Sequence, residues 1–166
     1  MSVRSPLRTI GRAAFAALLV VPALSAHAGS SATWLCLTET RGEQSEVARL
    51  PLGPNRTFDL SFIHSVSRTP VTDSYLVVGD EIVQTREVFV AHGAGLPSIA
   101  NDMDATGWRH EDGHFILDMN RHTGPIPLRI QAQFKNTIHI DGTDLPLADL
   151  GYPALTLAPC DEETSQ

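Results

Sequence analysis

The feature that most constrains this chain is a two-residue hydrophobic period that recurs along its length and hardly ever gives way to a helical one. Phe58, Leu60, Phe62, His64 and Val66 fall on one face of an extended segment, and Asp59, Ser61, Ile63 and Ser65 on the other. Ile126, Leu128, Ile130, Ala132 and Phe134 repeat the pattern, as do Phe115, Leu117 and Met119. Between such runs stand Gly79-Asp80, Asp112-Gly113 and Asp141-Gly142, where two-residue hairpin loops want glycine. Further strands are expected over residues 33–38, 71–78, 81–90, 143–147 and 154–158. Together they make about nine short strands, the number of an all-β antiparallel sandwich or barrel. Residues 41–54 and 92–107 read as the long connections.

The first 28 residues read differently. Arg4, Arg8 and Arg12 form a basic leader before an apolar run, Ala13 to Leu24, too short and too rich in small residues to span a bilayer comfortably. Ala26-His27-Ala28 supplies the small residues of a signal-peptidase site, so cleavage is expected after Ala28; the competing reading is a retained anchor. Residues 29–160 are then a single β domain and 161–166 a disordered tail. The whole chain has 12 basic and 19 acidic residues. Removing three leader arginines makes the rest more acidic still, which argues against nucleic acid or an anionic membrane as partner. A periplasmic or secreted protein is expected.

Export changes how the two cysteines are read. Cys36 and Cys160 lie near opposite ends of the exported domain in apolar segments, and in an oxidising compartment they have only each other. A disulfide tying the first strand to the last is expected, against the alternative of two buried free thiols.

Two segments carry the polar chemistry. In Phe58-Asp-Leu-Ser-Phe-Ile-His-Ser-Val-Ser-Arg-Thr-Pro-Val71, His64 and Ser65 are adjacent on an expected strand, so their side chains point to opposite faces and form no nucleophile–base dyad. His64 is either a core imidazole or a ligand-facing group. Pairing Phe62 with Leu76 would set His64 opposite Ser74 and bring Glu87 to the same rim. In Glu87-Val-Phe-Val-Ala-His-Gly-Ala-Gly-Leu-Pro97, the backbone N–H groups of Gly93, Ala94 and Gly95 can cradle a carboxylate or phosphate, or simply form a turn. Arg68 and Thr69 would add a charged donor and a hydroxyl to the same anion.

The order and spacing of these two segments resemble the bacterial and archaeal domain-of-unknown-function family numbered 1850, from about Arg56 to Ala158. His92 stands where the family pattern suggests an aromatic. The resemblance implies a small exported protein, often encoded beside tripartite ATP-independent periplasmic (TRAP) transporters whose solute receptor is of the TAXI type, and implies no catalytic residue set.

Metal readings are weak on spacing. His110-Glu-Asp-Gly-His114 has i,i+4 spacing, but Asp112-Gly113 makes it a hairpin tip and not a helix face. Asp102-Met-Asp starts like a calcium loop, yet Gly113 stands where an EF-hand needs Glu. No metal and no cofactor is expected. The favoured function is a non-enzymatic accessory or small-carboxylate-binding module partnering a TAXI-family receptor or a TRAP membrane component. Its ligand site would draw on His64, Ser65, Arg68, Thr69, Asp73, Glu87, His92, Gly93, Ala94 and Gly95. The alternatives are a hydrolase using His64 with Asp73 or Glu87 as acid–base pair, and a purely structural interaction domain.

Overall fold

The computed structural model describes residues 32, 34–90 and 104–161. The expected leader, His92, the Gly93-Ala94-Gly95 segment, Asp102 and residues 162–166 lie outside them. Within the described residues the chain forms β1 (Trp34–Glu39), β2 (Glu46–Pro51), β3 (Thr57–Ile63), β4 (Pro70–Val78), β5 (Glu81–Phe89), β6 (Ala105–Glu111), β7 (His114–His122), β8 (Ile126–Arg129), β9 (Thr137–Ile140), β10 (Thr143–Pro146) and β11 (Ala154–Cys160). Two short 3-10 turns, Ala132–Phe134 and Leu147–Leu150, complete it.

The strands make two antiparallel sheets, β2-β1-β11-β8 and β10-β9-β3-β4-β5-β7-β6. This is a sandwich and not a closed barrel. The inner faces meet through Leu35, Leu37, Leu155 and Leu157 from the small sheet and Phe58, Leu60, Tyr75, Val77, Ile138 and Ile140 from the large one. Alternation produces this directly, since every second side chain of each strand enters the core. No helix among the described residues is long and apolar enough to cross a membrane.

The three glycine pairs turn the expected hairpins. Asp112-Gly113 and Asp141-Gly142 have positive φ at both residues, the type I′ pattern, and at Gly79-Asp80 only Gly79 does, as in type II′. Their backbone twist matches that of the strands they join, which fixes the registers Val78↔Glu81, Glu111↔His114 and Ile140↔Thr143. The Cys36–Cys160 disulfide is present, Cα to Cα 5.9 Å. It joins diagonal neighbours, because Cys36 faces Ala158 and Trp34 faces Cys160 across β1 and β11.

Several expectations need correction. The expected connection 41–54 contains β2, whose residues Glu46-Val-Ala-Arg-Leu-Pro51 alternate poorly but pair with β1 around a bulge at Leu37/Thr38. The alternating run 126–134 is not one strand: β8 ends at Arg129 and the chain then coils through the 3-10 turn to Lys135 at φ 50°. The run from Phe58 to Val66 also stops early, at Ile63.

The β3–β4 register differs by an odd number of residues, which exchanges the faces of β4. Phe62 faces Val71 and not Leu76, and Leu60 faces Asp73. Val71, Tyr75 and Val77 are therefore the buried set of β4, while Leu76 is only half-buried. The reason is the loop. His64 leaves the ladder, its N–H donating to the Thr69 carbonyl at 2.9 Å and its carbonyl accepting from Arg68 N–H at 3.0 Å, with Arg68 at φ 59°. A six-residue loop, His64 to Thr69, thus closes between Ile63 and Pro70.

Candidate functional site

A cleft of about 350 Å³ opens at the end of the sandwich, between the β3–β4 loop and the β8–β9 connection. Phe62, Ile63, His64 and Ser65 form one wall; Arg129, Gln131, Phe134 and Asn136 form the other. Because β3 has ended, His64 and Ser65 both border this cleft, which corrects the expectation of opposite faces.

Hydroxyl groups hold the imidazole of His64. Its Nδ1 accepts the backbone N–H of Ser67 at 3.2 Å and lies 3.1 Å from Ser67 Oγ, which is 2.8 Å from Thr69 Oγ1. A backbone N–H can only donate, so Nδ1 carries the lone pair and the neutral ring bears its proton on Nε2. His64 therefore brings a donor to the cleft. Ser67 was not singled out by the sequence reading, although a hydroxyl three residues after a histidine is a local turn partner.

Two guanidinium groups flank the cleft. Arg129 lines it and is exposed. Arg68, also exposed, lies with its guanidinium carbon 5.9 Å from the centroid of the Phe134 ring, within cation–π range. Neither is in an ion pair among the described residues, and no carboxylate lines the cleft. Behind them Asn136 Oδ1 is shut off from solvent with no hydrogen-bond partner. In an otherwise acidic chain this local excess of positive charge and donors suits a small anion with an apolar body against Phe62 and Phe134.

Asp73 and Glu87 lie elsewhere. They face each other across β4 and β5, in mid-sheet, and the hydrogen bonds of the His64 ring go to Ser67. Asp73 belongs to a buried polar cluster with Tyr75, Gln84, Glu87 and Arg121. Tyr75 Oη donates to Asp73 Oδ2 at 3.3 Å, and Arg121 Nη1 reaches Gln84 Oε1 at 3.5 Å. Burial pushes the Asp73 carboxyl up to about 6, opposed by hydrogen bonds from Tyr75 and Gln84 and by the Arg121 charge. Burial, and then the Asp73 charge, raises Tyr75 far above its usual value and keeps its hydroxyl a donor. His110 and His114 point to opposite faces of their hairpin: His110 stacks on Phe115, and His114 Nδ1 is 3.1 Å from the Asp112 carbonyl oxygen.

Of the cleft's walls, His64 and Ser65 were legible in the sequence as candidate site residues, with Arg68 beside them, and the opposite wall was not. Arg129 and Gln131 sat inside a run, 126–134, that alternates as a strand does, and Asn136 just beyond it; the polar Gln131 and the Gln133-Phe-Lys-Asn136 stretch were the available signals for a turn.

Fold and site together define a disulfide-bonded antiparallel β-sandwich with an arginine-flanked cleft at one end. Residues 58–147 match the family described as domain of unknown function DUF1850, and the chain belongs to that family. No curated protein and no solved structure matches it.

Proposed function

We propose that this protein is an exported module whose cleft, lined by Arg129 and flanked by Arg68, binds a small organic carboxylate and carries out no reaction on it. The observation that carries the reading is two guanidinium groups that make no ion pair among the described residues, beside a cleft with a His64 donor and aromatic walls. The carboxylate pairs with the arginines, and the His64 Nε2–H donates to it. The disulfide fits an oxidising compartment. The transporter setting implied by the family resemblance supports a place beside a TRAP-type system and its TAXI-family receptor.

Titration calorimetry with a panel of hydroxy, amino and dicarboxylic acids tests the site. Arg129→Gln, or Arg68→Asn, which keeps a residue tolerant of positive φ, is expected to weaken binding about tenfold to a hundredfold, the worth of a charge-assisted hydrogen bond. Binding left unchanged by both substitutions, or none with any acid tested, rejects the site. A receptor-binding assay with and without the acid tests the transporter role, which fails if the two proteins do not associate in either condition.

A further inference from the structure

The outward face of the large sheet carries a second polar constellation. Ser61 on β3, His139 on β9 and Asp144 on β10 come from three neighbouring strands. Asp144 faces His139 across the Asp141-Gly142 hairpin, and Asp59 faces His139 across β3, which leaves Ser61 the diagonal neighbour of the imidazole. The side chains join end to end. Ser61 Oγ is 2.7 Å from His139 Nε2, and His139 Nδ1 is 2.7 Å from Asp144 Oδ1.

The order of atoms matters. An ionised carboxylate only accepts, so Nδ1 carries the proton of the neutral ring and Nε2 turns its lone pair to the Ser61 hydroxyl. Serine as donor, imidazole as acceptor and carboxylate fixing the tautomer are the arrangement in which a serine becomes a nucleophile. Thr72 faces Ser61 from β4, so their Cβ atoms are on one face about 5 Å apart, and its hydroxyl can reach the oxygen of an attacked carbonyl. The His139 and Asp144 side chains are 36% and 71% exposed, so a reactant approaches from solvent.

We propose that Ser61, His139 and Asp144 form a serine-nucleophile site for small carboxylic esters, on the opposite face of β3 from Phe62 and independent of the cleft. Ser61 Oγ bonds to the carbonyl carbon while its proton passes to His139 Nε2. The bond to the leaving oxygen then breaks, and the alcohol departs with that proton. Water, deprotonated by His139, attacks the acyl-serine; the carboxylic acid leaves and the Ser61 hydroxyl is restored. The sum is ester plus water giving acid plus alcohol. Ser61 and His139 are the catalytic residues, Thr72 a donor to the developing oxyanion, and Asp144 a positioning residue.

A fluorophosphonate probe, from which the serine oxygen displaces fluoride, reads the nucleophile directly by peptide mapping and labelling rate. The expected adduct is on Ser61, absent in Ser61→Ala and unaffected in Ser74→Ala, a serine of the same face two residues along β4 from Thr72. His139→Gln is expected to slow labelling about a hundredfold or more. Asp144→Asn slows it about tenfold or more, with partial recovery in Asp144→Glu, at an unchanged thermal midpoint, a combination that a merely structural role would not produce. An adduct confined to other serines, no adduct at all, or equal rates in wild type and in folded Asp144→Asn and His139→Gln variants overturns the proposal. None of these results bears on acid binding in the cleft.

Discussion

At the scale of single residues, Asp73 is the group whose environment most opposes its ordinary state. Its Oδ1 is sealed from solvent without a hydrogen-bond partner, and burial raises its carboxyl from 3.8 to about 6. The folded chain therefore holds this proton more tightly than the unfolded chain does. The stabilising effect of the proton is complete in acid, falls away as pH rises from about 4 to about 6, and leaves a penalty of about 3 kcal/mol above that. Asp73→Asn is expected to stabilise the protein by up to about 3 kcal/mol at pH 7.5 and by little at pH 4. Urea denaturation at both values checks it, and an equal effect at the two pH values would count against this account. Neither the burial nor the pH dependence was legible in the sequence, where Asp73 is one polar residue in Thr72-Asp-Ser74.

At the scale of elements, the tight turns carry the registers and through them the sites. The Asp141-Gly142 turn sets His139 opposite Asp144, and Gly142 has φ 76° with open space around its missing Cβ. Gly142→Ala would add no clash, so its cost is conformational, about 1 to 2 kcal/mol. The measurement is a denaturation midpoint; no loss, or a loss of more than about 4 kcal/mol, would contradict a purely backbone effect. These turns were readable because Asp-Gly and Gly-Asp encode them within two residues. The β3–β4 loop was not, since its closure depends on His64 leaving the strand to bond Ser67, Arg68 and Thr69. The odd displacement of register that follows puts Asp73 opposite Leu60, on the core side of the sheet.

At the scale of the molecule, the Cys36–Cys160 bridge closes nearly the whole described chain, its ends separated by 124 positions in sequence. Chain-entropy reasoning gives reduction a cost of about 4 to 5 kcal/mol, lessened by any structure the unfolded chain retains. Denaturant unfolding with and without reductant tests this, and equal stability in both would show that pairing of β1 with β11 suffices alone. The two sheets differ in size, four strands against seven. The cleft lies where the end of β3 in the large sheet meets the chain leaving β8 in the small one.

The sequence by itself determined the all-β architecture, three hairpin turns and the cysteine pair, and the two segments that identify the family. These are encoded locally, by alternation, by residues that accept positive φ and by the scarcity of partners for two thiols. It also exposed His64 to Thr69 as polar residues at an apolar strand's end. Only the tertiary structure decided that Arg129 and Asn136 complete that cleft, that Asp73 is buried apart from it, and that Ser61 meets His139. Each of these depends on which strands become neighbours and in what register, and that follows from packing the whole core and not from any window of the chain.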